Sequence, residues 1–240
     1  MNVIWQEIVV HTKLAFRERQ SVFWGFVFPI MLLILFCSIF GGTPERATTL
    51  LAGLICINAM SGALFGAGVV LVVAREQGIL RRYKVAPIAL WKVVVGLCIA
   101  RVLMISLTTG LLLLVARLFY QAILPAKIAP ALIVYLAGTL MFCALAFAVA
   151  AISGSVSQAN GVAQALFMPM MFLSGATFPQ ELMPLWMQKA SLVLPATYYV
   201  TSLKLTIAGS GTAENLTSLL VMGIYSLFAM ALSVRFFRWD

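Results

Sequence analysis

Hydrophobic residues fall along this chain in long unbroken runs, and the polar and charged positions are confined to the gaps between them. The runs cover 22–40, 50–73, 93–119, 128–152, 156–173 and 216–234, each wholly or almost wholly uncharged. A helix needs about 20 apolar residues to cross the hydrocarbon of a bilayer. Continuous apolarity, as opposed to alternation, predicts helices in place of barrel strands, and a helix satisfies its own backbone hydrogen bonds in lipid. The expected fold class is all-α: a polytopic membrane protein with about six transmembrane helices in one domain spanning residues 1–240.

The gaps add three features. Residues 1–20 place Trp5, Ile8, Val9, Thr12 and Phe16 on one helical face, with Gln6, Lys13, Arg17 and Gln20 opposite, which predicts an interfacial helix leading into the first span. The loop 75–92 is short and basic and its patterned part is ended by Pro87. The segment 174–214 is partly apolar and is cut by Pro179, Pro184 and Pro195, a pattern suited to re-entrant helices or to an amphipathic pair lying on the surface. No small-residue cleavage site follows the first apolar run, so it reads as a retained span.

Composition leaves no room for a separate soluble body. Hydrophobic residues make up 63% of the chain and charged residues 10%, with a mean hydropathy of +1.06. The 16 Lys and Arg against 7 Asp and Glu sit at the ends of apolar runs, not on one polar face, which excludes a nucleic-acid partner and points to orientation in lipid. Lys13, Arg17 and Arg19, then Arg75, Arg81, Arg82, Lys84 and Lys92, then Arg235 and Arg238 share one side. The other side receives Arg46, Lys127, Lys189 and Lys204, with Arg117 near it, so both termini are expected in the cytoplasm.

The 4 cysteines, Cys37, Cys56, Cys98 and Cys143, are scattered through apolar runs and the 1 histidine is His11, which indicates neither a disulfide framework nor a metal site. The apolar runs hold no Asp, Glu or His, which argues against catalysis or proton relay within the membrane. A phosphate-cradling GxxxxGK[ST] motif is missing from the sequence, so ATP hydrolysis would have to come from another polypeptide.

Several residues stand out within this frame, each with two readings. Arg101 lies inside the third run, either snorkelling or pairing structurally, or taking part in gating or substrate contact. Gly62 and Gly66 form a GxxxG in SGALFGAG, suited to packing within the chain or to a dimer face. Asn58, Gly62, Phe65 and Val69, and likewise Asn160, Gln164, Phe167 and Met171, make polar and aromatic stripes that either line a pathway or join helices. In the loop 75–92, Ile79, Leu80 and Tyr83 share one face of a short helix with Arg81, Arg82 and Lys84 around it, as a docking element or a lipid-headgroup anchor.

The pattern R-E-x-G-x-L-R-R-x-x-x-x-P from Arg75 to Pro87 resembles the loop after the second span in ABC-2 type permeases. The passage from Phe172 to Lys204, with S-G-x-x-F-P, M-P and P-x-T-Y, is similar to that family's transition from the fifth span into outward re-entrant helices. The match extends over essentially the whole chain. It is strongest toward the drug and antibiotic exporter branch, because polysaccharide-exporting relatives usually lack the R-E-x-G-x-L-R-R form.

The resemblance implies a six-span, type V exporter-like fold in a bacterial inner or plasma membrane. It also implies a half-transporter working as a homodimer, or as a heterodimer with a similar permease, on separate ATP-binding subunits. ATP and Mg would belong to those subunits, and no cofactor to this chain. Glu76, Gly78, Ile79, Leu80, Arg81, Arg82 and Tyr83 would form the coupling helix. Asn58, Phe65, Asn160, Gln164 and Phe167 would flank the pathway, and Phe172, Gly175, Phe178 and Pro179 the outer gate. A hydrophobic or amphipathic substrate would leave the cell. A stand-alone channel or secondary carrier, or an accessory subunit that transports nothing, are the competing classes.

Overall fold

The computed structural model describes residues 3–17, 26–40, 43–80, 90–125, 127–178, 180 and 183–236. The regular elements among the described residues are helices: α1 Val3–Arg17, α2 Phe28–Phe40, α3 Pro44–Ala63, a π-helical segment Leu64–Val69, α4 Val70–Glu76, α5 Leu90–Tyr120, α6 Ile128–Ile152, α7 Val156–Leu173, α8 Leu185–Ser191, α9 Pro195–Ile207 and α10 Leu216–Phe236. The all-α expectation holds.

Four helical stretches are long and apolar enough to cross a membrane: Arg46–Glu76, Lys92–Tyr120, Ile128–Ile152 and Leu216–Phe236. The apolar helix in the first run is shorter, Phe28–Ile39, and residues 22–25 of that run lie outside the described residues. Helix α7 has 18 residues, about 27 Å at 1.5 Å per residue, and carries Gln158, Asn160 and Gln164 in its first turns.

Local chemistry accounts for where the helices begin and end. Thr43 is extended and Pro44 follows at the first helical position, where its missing N–H costs nothing. Leu194 and Pro195 repeat that arrangement at α9. Ser153 leaves the helical region at the end of α6 (φ −88°, ψ 127°), and Ser155 is the extended cap of α7. The second span is longer than its apolar run because helical backbone continues without a break from Pro44 to Glu76 through the π-helical segment.

Burial separates an inner pair from a lipid-facing shell. The stretch Arg46–Glu76 has 72% of its most apolar window buried within the chain and α6 has 61%, against 28% for α5 and 22% for α10. Leu103, Leu107, Leu114 and Leu118 on α5, and Leu220, Ile224, Leu227 and Phe228 on α10, face outward at helical spacing, where lipid or another membrane protein must cover them. Helix α10 packs along α6, α1 along α5, and α9 is wedged among α3, α6 and α10.

Two glycines permit the closest approaches. An ideal Cβ on Gly53 of α3 would lie 1.9 Å from the carbonyl oxygen of Ala176, so the turn after α7 rests directly on the α3 backbone. A Cβ on Gly138 of α6 would lie 2.2 Å from the ring of Tyr199. That ring is fully buried, meets Phe142 edge-on at 5.9 Å, and its hydroxyl donates to the Tyr135 carbonyl at 3.3 Å.

Candidate functional site

The loop expected to serve coupling begins where α4 stops. The Gln77 amide donates to the Val73 carbonyl and the Gly78 amide to the Arg75 carbonyl, both at 3.0 Å, and Gly78 turns the chain with φ of +70°. Leu80 is buried and Ile79 is partly exposed. Arg81, Arg82 and Tyr83 lie outside the described residues.

Arg75 and Glu76 fasten this end of α4 to the α6–α7 junction. The Arg75 guanidinium donates to the Ala150 carbonyl at 3.3 Å and to the Ser153 carbonyl. Glu76 Oε1 accepts from the Val156 amide, the first of α7, at 2.8 Å. Ser155 Oγ accepts from the Gln158 amide at 3.2 Å, and Gln158 Oε1 reaches back to the Gly154 amide at 2.7 Å, a reciprocal cap of the Ser-x-x-Gln kind. The cation thus meets the carbonyl end of one helix and the anion the amide end of the next, as the two helix dipoles favour. The Ser155 and Gln158 pattern was open to reading in the sequence; the pairing with Arg75 and Glu76 joins residues about 80 apart in the chain.

The two stripes meet in part. Phe65, in the π-helical segment, contacts Phe167 of α7 edge-on with centroids 5.6 Å apart. Asn160 and Gln164 lie toward the start of α7 on an exposed face, with Asn160 Nδ2 donating to its own helix at the Val156 carbonyl, 3.0 Å. Asn58 is placed elsewhere: it is buried, and its Nδ2 donates to the Ile105 carbonyl at 3.1 Å and to Thr109 Oγ1 at 3.2 Å on α5. Gly62 and Gly66 face α5 as well, since a Cβ there would lie 2.7 Å from the Ile105 side chain and 3.0 Å from Arg101 Nη1. The GxxxG is therefore used for packing within the chain, and the Arg101 guanidinium lies against the second span.

At the far end of α7 the expected gate residues come together. Phe172 and Phe178 stack with centroids 6.4 Å apart, and Gly175 turns the chain between them at φ of +80°. Thr177 Oγ1 donates to the Met171 carbonyl at 2.9 Å, Gln180 Nε2 to the Ser174 carbonyl at 3.3 Å, and Lys204 Nζ to the Gly175 carbonyl at 3.4 Å. Pro179 lies outside the described residues. The short α8 and the longer α9 then return along α7, tied by Thr197 Oγ1 donating to the Ser191 carbonyl at 2.6 Å.

Residues 3–207 match the family described as ABC-2 type transporter. No curated protein matches the sequence. Members of this family are multi-pass membrane components that work with an ATP-binding subunit, and the matched region takes in α1 to α9 and the turn after α7, with α10 beyond it. With 3–207 matched out of 240 residues, the chain belongs to the ABC-2 type transporter family as a permease subunit of an ABC transporter.

Proposed function

We propose that this permease is half of the membrane unit of an ATP-driven exporter, with both termini in the cytoplasm and with α2 and α7 completing a set of six spans. Two copies, or this chain and a similar one, would enclose the pathway over two separate subunits carrying ATP and Mg. The observation that carries this reading is mechanical: uninterrupted helical backbone leads from Pro44, past the Phe65–Phe167 contact, to the root of the basic loop at Glu76. Movement imposed on the loop is thereby imposed on the aromatic contact, and closure of the ATPase pair would shift the helix pairs from inward to outward access.

Substrate would pass the exposed polar face at Asn160 and Gln164, then Phe65 and Phe167, and leave beneath the turn flanked by Phe172 and Phe178 with Gly175 between them. Such a lining, uncharged and partly aromatic, suits a hydrophobic or amphipathic molecule such as a drug, an antibiotic, a peptide or a lipid. A small hydrophilic ion would find no opposite charge in that lining to offset its desolvation. Asn58 would contribute by holding the second and third spans together, behind the lining.

The test is to purify the tagged chain from its own membrane in mild detergent, identify what accompanies it and assay ATP hydrolysis. A soluble P-loop ATPase in near-equal amount, stimulated by substrate, is expected. Repeated recovery of the functional chain alone would replace the proposal with a channel or carrier. Assembly without stimulation by any substrate would leave an accessory subunit.

The lining makes its own prediction. Alanine at Asn160, Gln164 and Phe167 should change the ratio of transport between two unlike substrates by roughly tenfold, the scale of a pocket altered by a few groups, while the amount of assembled complex is kept. A uniform fall in expression would assign these side chains to packing.

A further inference from the structure

We propose that Arg75 and Glu76 are positioning residues that latch the coupling loop to the α6–α7 junction, so that a push on the loop reaches the pathway helix α7 directly. The inference rests on the proposed reading of the loop as the site where the ATPase acts. Its grounds are the bonds already described: Arg75 to the Ala150 and Ser153 carbonyls, and Glu76 to the Val156 amide.

The junction between α6 and α7 is only 153–155, extended at Ser153 and Ser155. A segment so short transmits displacement of its ends with little slack. Helix α4 moves with the loop because Glu76 is its last residue. The same dipeptide holds the last carbonyls of α6 and the first amide of α7, so α7 cannot stay behind when α4 shifts unless those bonds break. The two contacts also differ in kind. Arg75 bonds to carbonyls around a helix end and fixes α6 against α4, while Glu76 bonds to one amide at the start of α7 and is the element through which α7 is carried.

Val156→Pro gives a clean probe, because it deletes the amide that Glu76 uses. Proline is favoured at the first helical position, and Ser155 at φ −143° and ψ 160° already has the extended backbone that precedes proline. The measurement is substrate transported per ATP hydrolysed by the permease with its ATPase in lipid vesicles. Val156→Pro is expected to lower that ratio about five- to tenfold, the lower end of the usual coupling range, while ATPase co-purification and basal hydrolysis persist.

Glu76→Ala should lower the ratio similarly, and the Glu76→Ala/Val156→Pro double variant should fall no further than either, since both remove one bond. Glu76→Gln keeps an acceptor oxygen and should retain most of the coupling. Transport per ATP at the wild-type level in Val156→Pro would overturn the latch. Should Val156→Pro fail to assemble, Glu76 decides: equal losses in Glu76→Gln and Glu76→Ala would overturn the latch in favour of a charge contact with the ATPase. Failure of the wild-type chain to bind any ATPase would instead overturn the underlying reading of the loop.

Discussion

Gly53→Val should leave little or no monodisperse protein after extraction into mild detergent, and Gly53→Ala should survive with a clearly lowered thermal midpoint. The Cβ that either residue introduces would sit 1.9 Å from the Ala176 carbonyl oxygen, which is backbone and not the end of a flexible side chain, and the two further methyl groups of valine enlarge a clash that alanine already makes. The turn cannot swing away cheaply. Ser174, Gly175, Ala176 and Thr177 are buried, and bonds from Thr177, Gln180 and Lys204 fasten the turn to its surroundings. Overpacking a core usually costs about 1–3 kcal/mol, and a clash with fixed backbone belongs at or above the upper end of that range. Gly110→Ala and Gly223→Ala are the controls, because nothing lies within 4 Å of a Cβ at either position. Helical glycine to alanine in open space should be neutral or stabilising by up to about 1 kcal/mol. A Gly53→Val protein as stable as these controls would mean that the turn does not rest on α3.

That contact shows where sequence pattern stops informing. The apolar runs 128–152 and 156–173 coincide with α6 and α7 because hydrophobicity, caps and breakers all lie within the segment itself. The runs 50–73 and 93–119 fall short of their helices. For the first of them the end turns are polar, from Pro44 to Thr49 and at Arg75 and Glu76, and partners distant in sequence hold them, the Ile123 amide at Thr48 and the Ser153 carbonyl and Val156 amide at Arg75 and Glu76. Nothing adjacent to Gly53 or Gly138 distinguishes them from Gly110, since only the neighbour in space makes a missing Cβ matter.

The stripes illustrate a second limit. Spacing in fours and threes assumes an unbroken α-helix, and on that assumption Asn58, Gly62, Phe65 and Val69 share a face. The π-helical segment Leu64–Val69 has wider turns, which keeps Gly66 in line with Gly62 against α5 and sets Phe65 to the side, against Phe167. Hence Asn58 joins α5 and Phe65 joins α7. In α7, which is α-helical from Val156 to Leu173, Asn160, Gln164 and Phe167 keep the relation their spacing predicts.

Reversing Arg81 and Arg82 to glutamate together should detach the permease from its ATPase without preventing insertion into the membrane. The chain's formal net charge is +9, and in the sequence these residues and Lys84 fall between Arg75, at the end of α4, and Lys92, at the start of α5. If the loop docks against acidic groups, each reversal replaces attraction by repulsion, and like charges opposed across an interface cost several kcal/mol. Co-purified ATPase should then fall by about tenfold or more, with transport lost in parallel, and reversal of the facing acidic residues in the ATPase should restore both. Reversing Lys127 and Lys189, on the side proposed to face outward, should leave co-purification unchanged. A lipid anchor predicts another pattern: assembly and transport persist in the double reversal, while binding of the loop to anionic vesicles declines. That pattern would assign the cations to headgroups, and Ile79, which is partly exposed where Leu80 is buried, would remain as the apolar candidate for contact with the ATPase.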